Sequence, residues 1–189
     1  LQCNGKALGD KAVWVYREWI RSSVAQNKPY DKFVKELLTA RGSSYKNPET
    51  NYFRVLREPG KITEDVSQTF LGTRFNCNKC HDHPFEKWTQ NQYYQFGAYF
   101  ARVAFKKGSL PGEEIVYRNF AGGEVKHPKT EKDVPPMVPF GTARTNGPDE
   151  DRREPFIEWM ASKENPLFAK SMANRTWSYF FGLGIIEPV

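Results

Sequence analysis

Apolar residues recur at helical spacing in the first forty residues of the chain. Between residues 9 and 26 they fall three or four positions apart, with charged residues between them, which is typical of an amphipathic helix. This helix is predicted to end at Pro29. A second helix is predicted over residues 30–40, with Gly42 as its C-terminal cap. The apolar positions of the first helix are Val13, Tyr16, Trp19, Ile20 and Val24.

Two further helices are predicted on either side of the chain's cysteine pair. Thr63 is predicted to open the first of them, because its hydroxyl can accept hydrogen bonds from the amides of the first turn. Val66, Phe70 and Leu71 form its inner face. The stretch from Thr89 to Gln92 fits a capping box and predicts an aromatic-rich helix that reaches about Val103.

The pattern changes after residue 105. Residues 114–120 alternate as a strand does, and Gly122 and Gly123 predict a hairpin turn into residues 124–126. Helical spacing returns in the last forty residues, with a stop at Gly182.

These patterns predict a mainly α protein: a helical domain with a loop-rich, partly β insertion. Residues 1–105 are predicted to form a helical domain, and residues 106–148 the loop-rich, partly β segment. Residues 149–189 are predicted to be the truncated helical start of a following domain.

Composition and charge narrow the functional classes. The chain has a net charge of +6, but its Lys and Arg residues are scattered, and nucleic-acid binding needs a continuous basic face. No apolar run approaches the ~20 residues of a membrane span. No paired-carboxylate, Ser-His-Asp or phosphate-loop pattern is visible, so the sequence leaves open whether the protein is an enzyme.

The sequence CNKCH, residues 77–81, is the strongest chemical signal. In c-type cytochromes the two thiols of Cys-x-x-Cys-His bond covalently to haem, and the His ligates the iron. Here Cys77 and Cys80 would anchor haem c, and His81 would be the iron ligand. In the alternative, Cys77 and Cys80 bind zinc with His83 or Cys3 as further ligands. A thioredoxin-like dithiol is disfavoured because no βαβ pattern surrounds the pair.

Further residues are assigned to the site around CNKCH. We expect aromatic side chains to wall a flat cofactor, and His83 to belong to the working site, where Pro84 restricts the backbone. His127 is a candidate sixth ligand of the iron, although a five-coordinate iron is equally compatible with the sequence. The aromatic wall is Phe75, Phe85, Trp88 and Tyr94.

The stretch TFLGTRFNCNKCHDHPFEKWTQNQYYQFGAYF resembles the planctomycete-type cytochrome-like domains, whose function is unknown. In these domains a Leu-Gly, a CxxCHxHP and a W-T-x-x-x-Y-Y element follow one another at this spacing. Upstream residues from Tyr16 also resemble that domain, and residues 151–189 resemble the opening of its usual partner domain. The resemblance implies a large exported bacterial protein, periplasmic or extracellular.

The function predicted from the sequence is a c-type haem-binding redox or electron-transfer module. Its expected partners are a redox protein or other domains of the same polypeptide. The alternative is a structural or interaction domain that the same Cys/His cluster stabilises through zinc.

Overall fold

The computed structural model describes residues 3–85, 87–144, 146–147 and 150–187. The mainly α prediction is confirmed, including the partly β insertion. Two short 3₁₀ turns span Pro48–Thr50 and Asn76–Lys79. The described helices are α1 (Gly5–Leu8), α2 (Asp10–Ala25), α3 (Tyr30–Thr39), α4 (Asn51–Leu56), α5 (Pro59–Leu71), α6 (Gln90–Gly97), α7 (Arg153–Met160) and α8 (Pro166–Phe181). The described strands are β1 (Gly42–Ser43), β2 (Val103–Lys107) and β3 (Glu114–Arg118).

The three strands form an antiparallel sheet in the order β1-β3-β2. Val116 of the central strand pairs with Gly42 on one side and with Phe105 on the other. The strand predicted over residues 114–120 is therefore confirmed as β3. The predicted hairpin at Gly122 and Gly123 is wrong, because both edges of β3 are already paired. After these glycines, Lys126 instead forms an isolated antiparallel β-bridge with Asp133.

The bounds of three predicted elements need correction. Helix α5 begins at Pro59, where proline's fixed φ suits a first turn, and the buried Thr63 hydroxyl donates to the Pro59 carbonyl at 2.8 Å. Gly42 does not cap α3, because the chain is already extended at Ala40 and Gly42 lies in β1. The aromatic helix α6 ends at Gly97 rather than near Val103, which is the first residue of β2.

An aromatic cluster from α6, the turn after it and α7 forms part of the core. The fully buried Phe156 ring lies 4.9 Å from the Phe96 ring and 5.5 Å from the Phe100 ring, measured between centroids. Tyr99 and Trp159 complete the cluster at 5.1 Å and 5.7 Å from Phe156. The last helices of the chain thus share a core with the segment that follows the cysteine pair.

Close contact with α5 fixes the position of α6. An added Cβ at Gly97 would lie 3.2 Å from the Thr63 hydroxyl, so the two helices approach closely at this point. One turn earlier, the buried Tyr93 hydroxyl donates to Glu64 at 3.0 Å. Helix α5 ends at Leu71, and the left-handed conformation of the next residue, Gly72, turns the chain towards the cysteines.

Helix α8 packs on α5, and Arg175 donates to the Gln68 carbonyl of α5 at 3.3 Å. Near its start, Phe168 is buried and stacks on Tyr30 of α3 at 5.0 Å. The end of α8 instead exposes Tyr179, Phe180 and Phe181. Among the described residues, no helix combines the length and the apolar character that a membrane crossing requires.

Replacing Phe156 with alanine should lower the free energy of unfolding by about 3–5 kcal/mol, because a large ring is removed from a closed aromatic cluster. Urea unfolding followed by circular dichroism measures this change. Phe180→Ala is the matched control, since this side chain is 77% exposed and its loss should change stability by less than about 0.5 kcal/mol. Equal losses in the two variants would contradict the packing described here.

Candidate functional site

The three residues of the Cys-x-x-Cys-His pattern lie on a single turn. The Cys77 carbonyl accepts from the Cys80 amide at 3.3 Å and from the His81 amide at 3.5 Å. Positions i, i+3 and i+4 of a helical turn share one side. All three residues are exposed, and both thiols are free.

The opposite side of the turn is anchored to the protein. Asn78 has no exposed surface, and its amide nitrogen donates to the Trp88 carbonyl at 2.6 Å. The Lys79 carbonyl accepts from the Gln90 side chain at 3.1 Å and from the Tyr94 hydroxyl at 3.0 Å. The backbone between the two cysteines is therefore held by α6 and by the residue that precedes its cap.

Asp82 joins the end of the turn to the start of α6. Its carboxylate accepts from the Gln90 amide at 2.7 Å, where a negative charge also suits the positive end of the helix dipole. The capping box predicted at Thr89 and Gln92 is confirmed, with bonds in both directions. Two side chains thus satisfy the first amides of α6 and bring it against the turn.

The contact with the Asp82 carbonyl determines which ring nitrogen of His81 is protonated. The carbonyl oxygen lies 2.6 Å from the His81 Nδ1 atom. A carbonyl oxygen can only accept, so Nδ1 carries the proton and the lone pair of Nε2 is left for a metal. Backbone carbonyls orient metal-binding histidines in the same way.

His83 has the opposite arrangement. Its backbone amide donates to the Trp88 carbonyl at 2.8 Å, and its Nδ1 accepts from the Phe85 amide at 3.3 Å. In the neutral ring Nε2 then carries the proton. His83 is half-buried and closes the local turn, which is the structural role that its place before Pro84 permits.

The expected aromatic wall is only partly formed. Phe75 is 1% exposed and lies within the core, whereas Phe85 is 93% exposed. Trp88 is half-buried between Phe75 and Phe140, at ring distances of 5.1 Å and 6.2 Å. It lines a mostly apolar groove of about 600 Å³ with Phe140 and Leu167. Of the four expected wall residues, Phe75 is therefore buried in the core, Trp88 and Tyr94 are half-buried, and Phe85 projects from the surface.

The tyrosines beside the turn stay protonated. Burial raises the pKa of Tyr93, with Glu64 as the next contribution. Burial also raises the pKa of Tyr94, and the neighbouring Cys80 adds to this effect. Both hydroxyls therefore serve as neutral hydrogen-bond donors at ordinary pH.

The two remaining candidate ligands lie in different places. The His127 ring lies 5.6 Å from the ring of Tyr94, whose hydroxyl donates to the Lys79 carbonyl. Cys3 lies beside Asp10 and Val13 of α2, in another groove. In the described ranges, no three Cys, His, Asp or Glu side chains are grouped so that they could hold a metal ion.

Sequence reasoning missed the residues that hold the site in place. Asn78 could have been found, because the residue after the first position of a turn faces away from positions i, i+3 and i+4. Gln90 and Glu124 gave no comparable signal. Glu124 accepts from Arg102 at 2.6 Å and from Arg152 at 2.9 Å, and so anchors the loop that leads to His127. Contacts this distant in sequence leave no local pattern.

The stability of the protein should depend on pH through Glu124. Hydrogen bonds, first from Arg152 and then from Arg102, lower its pKa to about 2. A carboxyl whose folded pKa lies below its unfolded value of ~4.3 stabilises the fold above that value, and the contribution is lost as pH falls towards 2.

The Glu124→Gln variant should therefore be less stable than the parent near pH 7. As the pH falls from about 4.5 to 2, its stability should fall less than that of the parent. Thermal unfolding across this range measures the difference. Glu164→Gln is the control at an exposed position. Parallel pH profiles for Glu124→Gln and the parent would refute the role of this carboxylate.

Comparison with known families gives two matches and no established activity. Residues 152–189 match the PSD1 family, described as a protein of unknown function (DUF1553). Searches of curated proteins and of solved structures found no significant match. Residues 3–105, more than half of the chain and including the whole CNKCH turn, match the PSCyt2 family, described as a protein of unknown function (DUF1549). The chain therefore belongs to the PSCyt2 family.

Proposed function

We propose that this chain is a c-type haem-binding redox module that transfers electrons within a larger exported bacterial protein. The observation that supports the proposal is the arrangement of one turn. Cys77, Cys80 and His81 are exposed residues of this turn, and the Asp82 carbonyl leaves the Nε2 lone pair of His81 free.

The donor set fits haem c. Covalent attachment needs two accessible thiols and an adjacent imidazole, and it does not need further ligands to converge on one ion. Cys77 and Cys80 would hold the haem through thioether bonds, and His81 would ligate its iron. When bound, the haem supplies a reversible one-electron change at iron.

The surrounding residues fix the turn. Asn78 holds it from within, and Gln90 and Tyr94 hold the Lys79 carbonyl. A turn fixed in this way keeps the thiols and the imidazole in place when the charge of the site changes. Trp88 offers apolar surface near the turn, and partial exclusion of water is one means by which proteins set a reduction potential.

Zinc is less well supported by the geometry. A structural zinc ion needs four donors in a tetrahedron. His83 uses its Nδ1 within its own turn, and Cys3 lies against α2. The haem experiment below also detects zinc, as a colourless protein that carries one zinc ion per chain.

The proposal includes the location and the partners of the module. Thioether attachment of haem takes place in an exported compartment, which agrees with the periplasmic or extracellular location expected for the family. The PSD1 match makes other domains of the same polypeptide the nearest electron partners in this proposal. A separate redox protein is the alternative partner.

Replacing Cys77 and Cys80 together with serine should abolish covalent haem. The protein is expressed in a strain that matures c-type cytochromes, then examined by haem stain on a denaturing gel and by its pyridine haemochrome spectrum. Cys3→Ser is the control and should keep full haem content. A colourless parent protein with one zinc per chain would contradict the haem proposal and favour zinc.

His81 and His83 form a matched pair for a second test. His81→Ala should lose the proximal ligand, which changes the visible spectrum to that of a high-spin or differently ligated iron while the thioethers persist. His83→Ala should keep the spectrum, because its Nδ1 accepts within the local turn. If His83→Ala alters the spectrum and His81→Ala does not, the ligand assignment is wrong.

A further inference from the structure

The outer face of α8 is a stripe of apolar and small residues that the described part of the chain leaves exposed. Beyond the first turn, Ser171, Asn174 and Ser178 are the half-buried positions of the helix, and Ser171 lies against Gly72 at the end of α5. A surface helix normally turns its apolar side to the core, so α8 has the reverse pattern. The outer face is uncharged and recurs at spacings of three and four: Ala169, Met172, Ala173, Thr176, Trp177 and Phe180.

The outer face continues into a larger apolar surface at the end of the helix. No charged residue occurs between positions 176 and 186. Trp177, Tyr179, Phe180 and Phe181 are 45%, 90%, 77% and 64% exposed, which corresponds to roughly 600 Å² of ring surface. Stable interfaces take about 800 Å² from each partner, and weak ones take less than about 600 Å². The available area therefore suits a reversible association with an apolar protein surface.

This surface is held in one conformation. The Asn174 side chain bonds Ile186 twice, because its nitrogen donates to the Ile186 carbonyl at 2.7 Å and its oxygen accepts from the Ile186 amide at 2.8 Å. The rings of Trp177 and Phe181 contact each other, with centroids 4.2 Å apart. A preorganised surface loses less conformational entropy when it associates.

The order of large and small residues makes the outer face complementary to itself. When two copies of α8 lie antiparallel about a two-fold axis between positions 174 and 175, Ala169 lies opposite Phe180 of the partner subunit. Met172 lies opposite Trp177 of the partner subunit, and a Met sulfur beside an aromatic ring is a favourable contact. Ala173 lies opposite Thr176 of the partner subunit, and these small side chains allow close approach at the axis. Two-fold symmetry makes each contact twice.

The charges of α8 also favour a second copy over a membrane surface. Lys170 and Arg175 are the only charged residues of the helix, whereas an interfacial helix combines its apolar side with a polar side rich in Lys and Arg. Arg175 is the charged residue nearest to the proposed axis. Its guanidinium is directed to α5, where it donates to the Gln68 carbonyl at 3.3 Å. Repulsion between the two arginines is thereby reduced.

We infer that the outer face of α8 is a self-association surface, through which two copies of this chain form a reversible, two-fold symmetric dimer with antiparallel α8 helices. The inference is independent of the proposed haem function, because no residue of the CNKCH turn takes part. The partner is a second copy of the chain, since each large residue of the face finds its smaller counterpart on the same face.

Sedimentation velocity over a range of protein concentrations tests the inference. The parent protein should show a monomer–dimer equilibrium with a dissociation constant of about 10 μM, in the weak range of specific interfaces. Ala173→Glu should raise this constant at least tenfold, because it places two carboxylates beside the axis. Ala25→Glu is the matched control, since it makes the same change at an exposed position at the end of α2, and it should leave the equilibrium unchanged.

A mixture of two opposite variants guards against misfolding of either one. Ala173→Glu and Ala173→Lys should each remain monomeric where the parent dimerises. An equimolar mixture should associate at least tenfold more tightly than either variant alone, because a carboxylate and an ammonium group then meet near the axis. Recovery on mixing requires that both variants are folded and that the outer face pairs with itself.

Three results would overturn the inference. The first is a parent protein that stays monomeric up to about 200 μM, well above the expected constant. The second is a dimer that Ala173→Glu leaves intact, which would place the interface elsewhere on the molecule. The third is a monomeric parent that binds vesicles of phosphatidylcholine and phosphatidylglycerol and loses this binding in Ala173→Glu, which would assign the outer face to a membrane surface.

Discussion

The packing of α6 against α5 and α7 is the constraint on which the site depends. Phe96 and Phe156 bury the inner face of α6, and Gly97 allows its close approach to Thr63. The outer part of the same helix carries Tyr94, which holds the turn between the cysteines. The hydrophobic core thus fixes the helix, and the helix fixes the backbone of the candidate site. The turn therefore owes its conformation to its hydrogen bonds with α6 as well as to its own residues.

The three histidines show how backbone bonds separate residues of the same type. A carbonyl beside His81 leaves its Nε2 unprotonated, whereas amides beside His83 and His127 place the proton on Nε2. Metal binding needs a lone pair and hydrogen-bond donation needs a proton, so these assignments give the rings different chemical capacities. The CNKCH motif selects His81 as the candidate ligand, and the local backbone supplies a physical reason for that choice over His83.

The sequence predicted the parts of the fold that depend on local pattern. The helix over residues 9–26 and the capping box at Thr89 are set by side chains within a few residues of one another, and both are present. The predictions failed where distant contacts decide. Gly42 pairs with Val116 in the sheet rather than capping α3. Because β1 and β2 occupy both edges of β3, residues 124–126 cannot pair with it. For the site, CNKCH and Tyr94 were visible in the sequence, while Asn78 and Glu124 act through partners that sequence spacing does not reveal.

The segment that matches the PSD1 family takes part directly in this arrangement. Its first residue, Arg152, bonds Glu124 and the Ala98 carbonyl, and the next, Arg153, donates to the Leu38 carbonyl at 3.2 Å. Phe156 then completes the aromatic core. A boundary between two family matches is therefore not a boundary in packing. Arg152 therefore links the start of the second segment, through Glu124, to the loop that carries His127, whose ring contacts Tyr94 of the first segment.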